Sequence, residues 1–183
     1  MNRLTAVLAA TLLSGVTIPA TPAFATNETP EAVDLAGDAA ANARADMIAT
    51  FGDKALRPGQ YLWDATAPRD GDARVIISLS DQLAFVYRGE QLVAVSTISS
   101  GKPGKDTPVG IFPILAKKAM HRSSKYDDAP MPFMQRIDDY GIALHAGMLP
   151  GHPASHGCVR LPLAFAHKLF TVTDVGTEVM IAS

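Results

Sequence analysis

A mainly β domain, a sandwich or open barrel with one or two short helices, is what the sequence predicts for residues 74 to 183. Two observations carry the prediction. Short apolar runs rich in β-branched and aromatic residues recur from Arg74 onward, RVIISL (74–79), LAFVYR (83–88) and QLVAVSTI (91–98), with turn residues between them. Near the end, LPLAFAHKLFTVT (161–173) carries apolar residues at helical spacing.

Taken in chain order, residues 1 to 25 read as a secretory leader. Arg3 is the early cation, Leu4 to Val16 the apolar run, and Ala23-Phe24-Ala25 an A-x-A cleavage site. The run is shorter than the ~20 residues a membrane span needs, so a soluble, exported protein of one-domain size is expected. The leader holds no cysteine to acylate, which argues against a lipoprotein. Residues 26 to 73 form a separate segment: an Ala/Asp-rich stretch with a weak apolar stripe suits one helix over about 31–50, either a tether or docked on the domain, followed by a Pro/Gly-punctuated connection. Tyr61, Leu62 and Trp63 are expected to pack on the domain edge, an aromatic platform for glycan being the alternative.

Within 74–183, Gly89-Glu90 is a two-residue hairpin turn joining two runs of an antiparallel meander. The loop SSGKPGKDTPVG (99–110) precedes a strand predicted as IFPILAK (111–117). A long polar segment, 118–132, then interrupts the β pattern before FMQRI and GIALHA; such loops are commonly lids or clefts. Pro162 opens the predicted helix with Leu163, Ala166, Leu169 and Phe170 at helical spacing. Gly176 leads into a last strand, TEVMIA.

Charge and cysteine usage narrow the function. Sixteen basic against eighteen acidic side chains leave no basic stripe of the kind a nucleic-acid binder needs. Cys158 is the sole cysteine. In an oxidising compartment, where cysteines normally pair, it implies a working thiol or an intermolecular bridge.

Cys158 lies in GIALHAGMLPGHPASHGCVRLP (141–162), which also holds three of the five histidines. Three readings of this stretch compete. As a nucleophile, Cys158 needs a neighbouring imidazole or cation, since a free thiol is mostly protonated at neutral pH. His156 shares a face with Cys158 and Arg160 if the backbone is extended, and His145 returns to Cys158 if the loop 146–154 folds back; spacing does not choose between them. Gly157 permits a tight turn that aims the N–H groups of Gly157 and Cys158 at an oxyanion, and Arg160 lowers the thiol pKa or grips a substrate carboxylate. As metal ligands, His145, His152, His156 and Cys158 suit zinc by type, but their spacing follows no common motif and Pro153 hinders His152. As a structural residue, Cys158 is a small buried apolar group.

The string SHGCVR (155–160), with His145, TPVGIF (107–112), SDQLAFVYRGE (80–90), GKPGKDTPVG (101–110) and APMPF (129–133), resembles the L,D-transpeptidase family, the YkuD-type catalytic domain. The resemblance runs from about Arg74 to Ala182 and implies the YkuD-like β fold. It implies Cys158 as catalytic thiol, His145 as general base, the Ala146 carbonyl as third member, and His156 and Gly157 as shapers of the oxyanion site. Arg160 falls on the family's arginine beside the cysteine, and Ser155 on a hydrogen-bonding position that holds the turn. His121, Ser124, Tyr126, Met131 and Phe133 of the lid-like segment are expected along the substrate groove; His167 is expected on the surface, and Lys102, Lys105 and Asp106 in a solvated turn.

The implied reaction is on a peptidoglycan stem tetrapeptide, with release of D-alanine, a Cys158 thioester and transfer to an amine: a 3-3 crosslink, exchange of a D-amino acid, or anchoring of a wall protein. No metal or organic cofactor is implied, and the site is expected in the periplasm or cell wall. A carboxypeptidase or amidase on the same linkages, a general cysteine peptidase, and a non-catalytic wall-binding module are the rival readings.

Overall fold

The computed structural model describes residues 28–67 and 70–183; the predicted leader lies outside these. The segment before the domain is dominated by α1 (Pro30–Phe51). Thr29 caps it, its hydroxyl accepting from the Ala32 N–H at 3.2 Å, and Pro30 occupies the first turn, where its missing N–H costs nothing. Ala36, Ala40, Ala43 and Met47 form the helix's buried stripe. Three of the four are alanines, which explains why the stripe is faint in the sequence and why the helix can lie close to the sheet beneath it.

That sheet has six strands in the order β1 (Tyr61–Trp63), β4 (Gln91–Thr97), β3 (Leu83–Arg88), β2 (Ala73–Ser78), β10 (Glu178–Ala182) and β5 (Gly110–Pro113). Register separates its two faces. Ile76, Phe85, Val95 and Met180 lie in line across four strands and pack under α1. Val75, Val86, Ala94 and Val179 are paired one residue along and turn to the opposite face, into the main core. Both faces are covered, so the central strands read as nearly continuous apolar runs rather than alternating ones. Tyr87 adds a polar tie to α1, its hydroxyl donating to the Asp46 carboxylate at 2.7 Å.

A second sheet, β6 (Ala116–Lys118), β7 (Met134–Arg136), β8 (Ala143–Ala146) and β9 (Val159–Leu161), closes the core from the other side with α2 (Leu163–Val172). Fold class is as expected: mainly β, two sheets and two helices. Tyr61 and Trp63 pack at the edge, each with its ring 5.6 Å from that of Phe165 on α2.

One predicted element divides. The run 111–117 is not a single strand: β5 belongs to the first sheet and β6 to the second. The chain changes sheets at Ile114-Leu115, where the Ile114 N–H reaches the Thr177 carbonyl and the Leu115 N–H the Arg136 carbonyl. Every backbone donor at the crossing therefore stays paired. The terminal strand also holds a place that its sequence does not disclose, inserted parallel to β2 and antiparallel to β5.

Candidate active site

The site grows from the parallel pair β8–β9, in which Leu144 registers with Val159, His145 with Arg160 and Ala146 with Leu161. Leu144, Ala146, Val159 and Leu161 all enter the main core. Side chains alternate across a strand, so the intervening His145 and Arg160 face away from the core into a cleft of about 970 Å³. Cys158, just before β9, opens into the same cleft. With strands ~4.8 Å apart and a rise of ~3.3 Å per residue, the Cα atoms of His145 and Cys158 are on the order of 8 Å apart; the Cys158 thiol itself donates to the Gly141 carbonyl at 3.8 Å.

His145 is only 8% exposed. Its Nδ1 lies 2.8 Å from the Ala146 carbonyl oxygen. A carbonyl can only accept, so Nδ1 carries the proton and Nε2 of the neutral ring keeps its lone pair. Burial holds the His145 pKa below the usual imidazole value; the Ala146 carbonyl opposes this, and the nearby Arg160 guanidinium adds to it. Burial likewise pushes the Cys158 thiol up, against a hydrogen bond from the Ala143 backbone. Asp138 adds to the rise and Arg160 opposes it. In both groups burial is the largest cause and opposes the charged form.

The turn that carries Cys158 is held by hydroxyls. The Gly157 N–H donates to Ser155 Oγ at 3.0 Å, and Ser155 Oγ donates to the Cys158 carbonyl at 2.5 Å. The Gly157 N–H, expected from the sequence to face an oxyanion, is bonded within the turn. Gly157 has φ +115°, and a Cβ there would lie 2.6 Å from Ile142 Cδ1. The close approach that requires glycine is therefore made by the protein's own side chain as well as by the backbone. Thr107 is the residue that sequence reasoning left without a role. It is 4% exposed and its hydroxyl donates to the Gly157 carbonyl at 2.8 Å; its position in the TPVG motif was the available signal.

Of the long segment, His121, Ser124, Tyr126 and Met131 line the cleft. Tyr126 stacks on His156 with ring centroids 4.5 Å apart, so His156 faces the lid from an exposed position. Met131 packs with Met134, Ala143 and Cys158. Phe133 does not join the groove: its ring meets His167 at 4.9 Å and Phe170 at 5.8 Å on α2. It has φ +55°, which turns it from the lid towards that helix. His167 is exposed, as are Lys102, Lys105 and Asp106. His152 contributes its carbonyl to Ser99 Oγ at 2.8 Å. Among the described residues no three histidine, cysteine or acidic side chains converge as metal ligands.

The family description of the L,D-transpeptidase catalytic domain, YkuD, matches residues 72–181. An L,D-transpeptidase from Xylanimonas cellulosilytica is 28% identical, with 62% of each chain covered and a TM-score of 0.56. One from Stackebrandtia nassauensis is 24% identical over 76% of this chain and 65% of that one, with a TM-score of 0.57. One from Mycobacterium smegmatis is 19% identical over 61% and 59%, also with a TM-score of 0.57. The chain thus spans about six-tenths of the length of the first and third of these. None of the curated proteins compared matches it. With well over half of its residues inside that domain and the two-sheet fold shared, the chain belongs to the L,D-transpeptidase catalytic-domain family.

Proposed function

We propose that this protein is an exported peptidoglycan L,D-transpeptidase in which Cys158 is the nucleophile and His145 the base that activates it. What supports the reading is that the ring tied to the Ala146 carbonyl, on β8, and the sole thiol, just before the parallel strand β9, open into one cleft. In the proposed reaction His145 Nε2 takes the thiol proton as Cys158 Sγ bonds to the carbonyl carbon at the L-centre of the third stem residue, a diamino acid. Burial opposes the charged form of both groups, so proton transfer is proposed to accompany attack.

The tetrahedral intermediate carries a negative oxygen. With the Gly157 N–H engaged, the Cys158 N–H is the donor that this turn offers to it. Collapse breaks the peptide bond, His145 returns its proton to the departing D-alanine nitrogen, and a thioester remains. An amine, from a second stem's diamino acid or from a wall-anchored protein, then attacks the thioester while His145 accepts its proton. The thiol is regenerated. No step calls for a metal or an organic cofactor. The leader reading of residues 1–25 puts this chemistry outside the cytoplasmic membrane, in the periplasm or wall, and Arg160, His121, Tyr126 and Met131 are the side chains proposed to receive the stem.

Intact-mass spectrometry of the mature protein with purified disaccharide-tetrapeptide tests the proposal. A stem adduct on Cys158 is expected, absent in Cys158→Ala and formed ~10²–10⁴ times more slowly in His145→Ala, the usual contribution of general base catalysis. No adduct on the wild-type protein, or an undiminished one in Cys158→Ala, overturns it.

A further inference from the structure

We propose that Thr107 is a positioning residue for the reaction, acting through the peptide unit that joins Gly157 to Cys158. The inference rests on the proposed role of Cys158 and goes beyond it to a residue behind the cleft. Thr107 is not part of the cleft wall. Its hydroxyl is buried and bonded as both donor and acceptor: it donates to the Gly157 carbonyl at 2.8 Å and accepts from the Gly101 N–H at 2.9 Å.

The Gly157 carbonyl and the Cys158 N–H belong to one planar trans unit, in which C=O and N–H point in opposite directions. Fixing the carbonyl on Thr107 therefore directs the Cys158 N–H away from Thr107. No acceptor for that N–H occurs among the described residues. The same bond polarises the unit, since a carbonyl that accepts a hydrogen bond leaves its N–H a stronger donor. A free, aimed and strengthened N–H beside the nucleophile is what a developing oxyanion requires.

Thr107 is itself rigidly seated. The Lys105 N–H bonds the Lys102 carbonyl at 2.8 Å, closing the loop. The Lys102 N–H bonds the Ser155 carbonyl at 3.1 Å, and the Ala154 and Ser155 N–H groups reach the Ser100 carbonyl at 3.0 and 2.9 Å. Gly101 admits this packing, because a Cβ there would collide with the Lys105 carbonyl. The loop 99–107 and the turn 154–158 thus form one hydrogen-bonded body, and Thr107 is its contact with the peptide next to the thiol.

The experiment compares wild type, Thr107→Val, Thr107→Ser and Met47→Ala. Each is assayed by thioester formation with disaccharide-tetrapeptide at a temperature where it is folded by circular dichroism. Thr107→Val keeps shape but loses both hydrogen bonds; its maximal acylation rate is expected to fall ~10–100-fold with the half-saturating substrate concentration unchanged, the signature of an interaction made in the transition state. Thr107→Ser restores the hydroxyl and should recover most of the rate. Met47→Ala, destabilised at a distant site, should keep the wild-type rate. An unchanged rate in folded Thr107→Val, or a loss that Thr107→Ser does not repair, overturns the proposal. If Thr107→Val fails to fold, Thr107→Ala carries the same criteria. A wild-type protein that forms no thioester at all would instead refute the role of Cys158, which keeps the two failures apart.

Discussion

Replacing Met47 by alanine tests whether α1 is a structural layer of the domain or an appended arm. Met47 is 1% exposed and belongs to the cluster that α1 shares with Ile76, Phe85, Val95 and Met180. Truncating a buried methionine removes apolar contact and leaves a cavity that the surroundings fill only in part, at a cost of about 2–5 kcal/mol. Collapse should be limited here, because the neighbouring stripe residues are alanines and the sheet beneath is held by register on both sides. For a folded unit of this size each kcal/mol lowers Tm by roughly 2–4 °C, so a fall on the order of 10 °C is expected. Urea unfolding followed by far-UV circular dichroism and by tryptophan fluorescence is the assay. Trp63 lies across the first sheet from α1, in the edge cluster with Phe165; coincident, equally shifted transitions from the two probes show that helix and sheets melt together. A loss under ~0.5 kcal/mol, the range of an ordinary surface change, or a separate early transition of helical signal, would refute the claim that α1 completes the core.

Two further outcomes follow from the site. Gly157→Ala should abolish thioester formation and destabilise the fold by at least about 1–2 kcal/mol, the cost of a non-glycine residue held at positive φ; adding Ile142→Ala relieves the 2.6 Å collision but not the backbone strain, so stability should return only in part. Full recovery in the double variant would place the whole effect on packing. The second concerns pH. Because burial raises the Cys158 thiol, its carboxymethylation rate should still be climbing above the ordinary thiol range near 8.5, and a plateau reached by pH 7 would reveal a preformed thiolate. Burial depresses His145, so the unfolded chain takes up that proton first as pH falls through ~6.5. The stability associated with a neutral His145 is present above that value and is lost below it, down towards the folded-state pKa; urea midpoints between pH 7.5 and 5 should fall less steeply in His145→Gln than in wild type.

Much of the fold was legible because local chemistry specified it. The β-branched runs, the hairpin at Gly89-Glu90 and the proline before α2 each narrow the backbone choices of a few adjacent residues. What could not be read were the assignments that depend on distant partners. The run 111–117 looks continuous because both halves are apolar; it divides because its two halves bury against different sheets. The Ala stripe of α1 was faint because small side chains carry little hydropathy, yet they are what close approach to a sheet requires. Phe133 sits in a lid by sequence, but its positive φ and the rings of α2 draw it into the core margin.

The site divides in the same way. By itself the sequence determined the inventory: one thiol, histidines near it on either side, a glycine before it, and the motif strings of the family. Both His145 and His156 line the cleft with the thiol, and what separates their surroundings appears only in the tertiary structure. His156 is two residues away, exposed and stacked on Tyr126; His145 is thirteen residues away, and strand register brings it, buried and tied through Nδ1 to the Ala146 carbonyl, to the cleft face. The physical reason is that a parallel strand pair is aligned by what it buries. Leu144, Ala146, Val159 and Leu161 must all face the core, and that requirement, which no local window contains, turns His145 and Arg160 together into the cleft that Cys158 also lines.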